Sequence, residues 1–234
     1  MIELRGPWRI LFPGVLALMV FAFQGSARAD TMTIQITGLI NFHSANAPVG
    51  YWDATVQNGT PYTFTLTYDS LASDADAFDP TRGTYNSSAP YQLSISFGDY
   101  TFSNTGTTVT VLNDANLGGP PQDVFAFSNL NAFTQNGLSL SQNGIQTNLF
   151  FSNTSFLSSD SLSEVKTYPL SDFSSSQMIV SGFFNNGSGF QTATVQGTID
   201  SFIVVPEPSV VSLLLAGAAF TVLGSRFRRH SRAR

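Results

Sequence analysis

The side chains able to do chemistry are few in this chain of 234 residues. Between Asp30 and Val205 there is one histidine, His43, and one glutamate, Glu164; the second histidine, His230, lies among arginines near the C-terminus. A serine hydrolase needs an imidazole to accept the serine proton and a carboxylate to orient that imidazole. Only His43 could serve, and no Gly-x-Ser-x-Gly elbow accompanies it, so His43 reads as a polar residue at a strand end. One imidazole in a chain without cysteine cannot assemble a zinc site, and the lack of thiols also removes thiolate nucleophiles and iron–sulfur clusters. No glycine loop of phosphate-binding spacing occurs, and no pair of aspartates stands out as glycosidase carboxylates. The expectation is a protein that binds rather than catalyses.

Oxygen ligands are better represented. Asp69, Asp74, Asp76 and Asp79 fall within one short segment, and calcium takes several hard oxygens of this kind. Asp74-Ala75-Asp76 begins an EF-hand-like spacing that no glycine or closing glutamate completes. Asn113, Asp114, Asn116 and Asp123 form a second oxygen-rich stretch. Each segment reads either as a solvated acidic loop or as a Ca²⁺ site, and calcium is the only cofactor the sequence suggests. Tyr51-Trp52-Asp53 suggests a sugar site, with Trp52 stacking on a pyranose face and Asp53 accepting hydroxyl hydrogen bonds; the alternative is that these rings belong to the core.

The elements that must position these residues are strands. Met32, Ile34 and Ile36 alternate with Thr33, Gln35 and Thr37. Tyr62, Phe64, Leu66 and Tyr68 are separated by threonines, and Tyr91, Leu93, Ile95 and Phe97 by Gln92, Ser94 and Ser96. In a strand this period of two puts every apolar group on one face, whereas a helix would scatter them. Gly98-Asp99 has the composition of a two-residue hairpin turn with glycine first, and Asn143-Gly144 is the strongest hairpin signal in the chain. Further strands are expected at 107–112, 124–128, 178–184 and 190–204. Segments 44–59, 69–89 and 152–176 show no clear period, and Pro169–Phe173 could begin a short helical turn. About ten short strands without an amphipathic helix predict an all-β passenger of two antiparallel sheets packed face to face, a β-sandwich of jelly-roll or immunoglobulin-like topology.

Charge is divided sharply along the chain. Residues 30–205 hold thirteen acidic side chains against Arg82 and Lys166, while the remaining basic residues sit at the two ends. So acidic a domain is repelled by phosphates, which excludes a nucleic-acid partner. The N-terminal segment reads as an export signal of residues 1–29. Arg5 and Arg9 precede the apolar run from Ile10 to Phe23, and Ala27-Arg28-Ala29 fits the small-x-small pattern of signal peptidase, which makes Asp30 the expected mature N-terminus. At the other end, Pro206-Glu207-Pro208 is followed by an apolar span from Ser209 to Ser225 and then by five arginines between Arg226 and Arg234. Seventeen helical residues extend about 25 Å, slightly short of a hydrocarbon core of about 30 Å. Basic residues remain on the cytoplasmic side, so the tail is expected inside and residues 30–205 outside.

The tripeptide, span and arginine cluster of residues 206–234 resemble the PEP-CTERM sorting signal of Gram-negative bacteria. The resemblance implies that an exosortase, a membrane-embedded transpeptidase-like enzyme, recognises Pro206, Glu207 and Pro208, with the C-terminal helix as a transient membrane stop. Two prolines keep such a motif extended and accessible outside the membrane. The passenger is similar to domains found upstream of such signals, through Thr84-Tyr85, Tyr91 to Ile95, Phe97 to Phe102, Val109 to Asp114 and Gly197-Thr198-Ile199. Proteins of this kind are surface or matrix components of exopolysaccharide-producing bacteria. The resemblance thus implies a non-catalytic exported protein, first at the inner membrane with its domain periplasmic and then at the cell surface or in the matrix, with exopolysaccharide as a partner. The alternative is a lectin-like or polysaccharide-active module with a defined sugar site.

Overall fold

A computed structural model describes residues 31–44, 51–185, 187 and 189–206. The alternating segments form ten strands: β1 (Thr31–His43), β2 (Pro61–Asp69), β3 (Arg82–Phe97), β4 (Tyr100–Ala115), β5 (Gln122–Asn129), β6 (Phe133–Gln135), β7 (Leu138–Leu140), β8 (Ile145–Phe151), β9 (Phe173–Asn185) and β10 (Phe190–Pro206). All pairings are antiparallel, and the sheet runs β10-β1-β2-β3-β4-β5-β8-β9. β9 also pairs with β10, so the sheet closes on itself as an eight-stranded barrel. The β6–β7 hairpin hangs from the free upper part of β9.

This overturns the expected β-sandwich. Period-two alternation says that one face of each strand is buried, and both a sandwich and a barrel satisfy it. Here each major strand pairs with the next in an up-and-down order, and β1 meets β10, a pairing that a sandwich of two separate sheets lacks. Among the described residues there is no α-helix, only 3₁₀ turns at Leu162–Glu164 and Leu170–Asp172. The latter falls where Pro169–Phe173 suggested a turn. None of these turns is long and apolar enough to cross a membrane. The N-terminal signal helix and C-terminal transmembrane helix expected to flank the domain lie outside the described residues.

An eight-stranded barrel is just wide enough for side chains to fill it. Inward-facing Ile34, Ile36, Phe64, Leu66, Leu93 and Ile95 show no exposed surface, and neither do Val109, Phe125, Phe127 and Val180. Aromatic rings concentrate in two clusters. Trp52 packs edge-on against Tyr51, Phe97, Tyr100 and Phe102, while Phe151 contacts Phe125, Phe156, Tyr168 and Phe173 at ring-centroid distances of 4.6–5.1 Å. Phe125 and Phe127 both reach Phe202, linking β5 to β10 across the interior. The strands bend where the register slips, between Thr37 and Gly38 in β1, Ser87 and Gln92 in β3, and Leu112 and Ala115 in β4. Such irregularities let a sheet curl into closure.

Gly98-Asp99 is the two-residue connection between β3 and β4, with Gly98 at φ +53°, as its composition suggests. Asn143-Gly144 is different. β7 and β8 do not pair with each other; they lie end to end along β9, which takes Leu138 and Ser139 opposite Phe184 and Phe183 and then Ile145 opposite Val180. The Asn143 φ of +59° serves a bulge inside what is nearly one strand, not a hairpin.

Candidate functional site

Trp52 is buried in its ring cluster, with its Nε1 donating to the Thr194 carbonyl oxygen at 3.2 Å. Its neighbour Tyr51 donates through its hydroxyl to the Asn136 carbonyl oxygen at 2.5 Å, and Asp53 accepts from the Thr55 N–H and hydroxyl. The triplet thus secures segment 51–60 against the barrel. His43 ends β1 opposite Val195, and Glu164 accepts hydrogen bonds from the Ser158 and Ser159 hydroxyls; neither residue meets the other's element in a catalytic arrangement among the described residues.

The four aspartates are occupied as turn acceptors. Asp69 Oδ1 accepts from the Leu71 N–H, and Asp74 Oδ1 from the N–H groups of Asp76 and Thr84, which ties the acidic segment to β3. Asp76 Oδ2 accepts from the Thr84 hydroxyl at 2.7 Å and pairs with Arg82 Nε at 3.1 Å. Asp79 accepts from the Thr81 N–H and hydroxyl, and these donors hold its carboxyl below the usual carboxylate range, with Arg82 adding to the effect. Among the described residues no three acidic or imidazole groups converge as a metal site would require. In the second oxygen-rich stretch, Asp123 is wholly buried, accepting from the N–H groups of Asp114 and Leu157. Pro206 is the last residue of β10, opposite Met32. Ala27, Ala29, Asp30, Glu207 and Pro208 lie outside the described residues.

A recess that the sequence did not nominate lies on the outer wall, where β3, β4, β5 and β8 run side by side. It encloses about 430 Å³. Two rows of outward residues cross its floor in register: Thr84, Thr110 and Ala126, then Asn86, Thr108, Ser128 and Gln146. With strands about 4.8 Å apart, four of them give a floor about 14 Å wide. Leu112 and Leu117 stand at one end, Gln142 and Asn143 at the other, and Asp79 with Arg82 at the rim. A shallower recess of about 300 Å³, lined by Ala75, Asp76 and Phe78, continues from it and shares Asp79 and Arg82.

The floor is preorganised by bonds between its own side chains. The Thr108 hydroxyl donates to Asn86 Oδ1 at 2.9 Å, and the Ser128 hydroxyl to Asn143 Oδ1 at 2.6 Å. Gln146 Nε2 donates to Asn148 Oδ1 at 2.8 Å. Each carboxamide is thereby fixed through one end. Asn86, Asn143 and Gln146 all line the recess, and the bonds described engage only one end of each amide. The signal for this site was present in the polar half of the alternation: Thr84, Asn86, Thr108, Thr110 and Ser128 share the outward phase of consecutive strands. Which outward residues adjoin depends on pairing order, and that order was not readable.

Fold and recess together define an up-and-down β-barrel with a filled interior and a polar groove on its outer wall. Compared with known proteins, the chain matches no family model, no curated protein and no solved structure.

Proposed function

We propose that this chain is an exported, non-catalytic cell-surface or matrix protein, sorted by an exosortase through the PEP-CTERM signal at residues 206–234 and associated with exopolysaccharide. Signal peptidase removes residues 1–29, the apolar span halts the chain at the inner membrane, and the barrel passes to the surface. The observation that carries this reading is that the strands between Thr31 and Pro206 suffice to close the barrel, so its described ladders draw on the segments read as addresses only through Pro206. A binding role is favoured over cleavage because, among the described residues, the main groove is lined by a single carboxylate, Asp79, and the Asp76 of the adjoining recess is paired with Arg82, whereas glycoside hydrolysis uses two carboxyl groups about 5–9.5 Å apart.

The test replaces Pro206, Glu207 and Pro208 with alanine in the native host. The expected outcome is a full-length form retained in the membrane, seen by mass spectrometry of both termini. If the triple variant is processed and reaches the surface as the parent does, the sorting assignment is wrong.

A further inference from the structure

We propose that the outer groove over β3, β4, β5 and β8 is a binding site for a neutral polysaccharide chain, with Phe78 as its stacking platform. This inference rests on the exopolysaccharide association above and gives it a location and a ligand chemistry.

Phe78 is fully exposed beside the groove, which leaves its ring face open to a ligand. Its ring stands in the shallower recess that joins the main groove through Asp79 and Arg82. An aromatic face offers a sugar ring a partner for its apolar C–H face, while the hydroxyls around that ring need fixed donors and acceptors. The groove supplies both from Asn86, Asn143, Gln146 and the Thr110 hydroxyl. Pockets for drug-like ligands are mostly apolar with few polar groups. This groove has the opposite balance, as a polyhydroxylated ligand requires. Buried polar groups left without partners would cost affinity, so the match of amide to hydroxyl also selects the ligand.

Charge sets the ligand's character. Among the described residues the one cation at the rim, Arg82, is paired with Asp76, and Asp79 stands beside it. Around them lies a strongly acidic domain, which repels a polyanion. A neutral glycan meets no such penalty. The two recesses run on from each other, so the ligand is a chain crossing the floor towards Phe78 and not an isolated sugar.

The experiment is native affinity electrophoresis of the full-length protein in non-ionic detergent. Gels carry the producing cell's own extracellular polysaccharide, a neutral glucan, or polygalacturonate. Retardation is expected from at least one neutral polymer and not from polygalacturonate. It should weaken roughly tenfold in Phe78→Ala and in Asn86→Ala, the order of effect for a central contact. Leu71→Ala, which truncates an exposed apolar residue elsewhere, should bind as the parent does. Phe78 and Asn86 are exposed, so both variants are expected to melt cooperatively, with Asn86→Ala losing only the acceptor of the Thr108 hydroxyl, and melting curves check that they remain folded. Equal retardation of parent and both groove variants overturns the groove assignment and leaves the polysaccharide association standing. No retardation by any neutral polymer overturns both, and retardation by polygalacturonate alone overturns the neutral ligand.

Discussion

Asp123 and Gly38 show how single positions hold this barrel. Asp123 has no exposed surface, and its two oxygens receive the Asp114 and Leu157 N–H groups at 2.9 and 3.0 Å. Removing a buried acceptor leaves its donors unsatisfied at about 1–3 kcal/mol each. Asp123→Ala should therefore cost on the order of 2–6 kcal/mol in urea unfolding, while Asp123→Asn, which keeps one carbonyl acceptor, should cost less. Equal losses in the two variants would mean that packing and not hydrogen bonding sets the cost. The sequence offered Asp123 as a metal ligand, although its parity with Phe125, Phe127 and Asn129 marks it as inward-facing. Charge drew attention where phase carried the information. At the barrel seam the Tyr62 ring lies across two glycines, and its hydroxyl donates to the Thr198 carbonyl oxygen at 2.9 Å. A Cβ on Gly197 would fall 2.6 Å from that ring, and one on Gly38 would collide with the Thr198 carbonyl. Gly38→Ala is expected to lower stability by about 1–3 kcal/mol, the usual cost of overpacking. A melting temperature equal to the parent's would show that the seam gives way freely.

At the scale of elements, the run from Leu138 to Phe151 teaches most. Asn129 on β5 is wholly buried and organises the bulge between β7 and β8. Its Oδ1 accepts from the Ile145 N–H at 2.7 Å, and its Nδ2 donates to the carbonyl oxygens of Asn131 and Ser141. Its own carbonyl accepts from the Asn143 N–H. Asn129→Ala should cost about 2–4 kcal/mol, since several buried groups lose partners at once. Faster hydrogen exchange at Ile145 and Asn143 should accompany it, and unaltered exchange there would break the link between Asn129 and the bulge. The dipeptide Asn-Gly marked a turn, and Asn143 takes the left-handed conformation that asparagine tolerates, but no hairpin forms there. What it could not signal was which strand lies alongside. That choice was made by β9, some forty residues away in sequence. For the same reason the strands themselves were legible, as was the Gly98-Asp99 turn, whereas closure into a barrel was not: alternation records burial of a face and carries no record of the partner. The groove shares this fate, since its floor exists only once β3, β4, β5 and β8 are neighbours.

For the whole molecule, closure and alkaline stability can be argued from the same interior. Burial pushes the Tyr62 and Tyr68 hydroxyls well above the ordinary tyrosine range, and Tyr51 is pushed up to about 12 by burial, with Tyr100 adding to the effect. The fold therefore favours the protonated phenols. Their contribution is complete below the unfolded pKa of about 10 and is lost as pH rises through the folded values. Melting temperature should be insensitive to these groups up to about pH 10 and fall beyond it, with tyrosinate absorbance growing together with loss of the β circular-dichroism signal. Titration of all tyrosines before that signal changes would contradict the burial described. Closure itself depends on the last six residues of β10. Ser201 to Pro206 pair with Met32 to Thr37, and they bring Phe202 and Val204 into the core. Without them half of β1 becomes an open edge, a template for association with other chains. Because β1 and β10 are separated by most of the chain, pairing them carries a long-range loop-closure cost that local hairpins avoid. A chain of residues 30–206 should thus unfold cooperatively and remain monomeric, while residues 30–200 should lose the cooperative transition and aggregate. Light scattering and thermal melts of the two read this directly. If the shorter chain melts as sharply as the longer one, the β1–β10 seam is dispensable and the barrel is held by its other seven pairings.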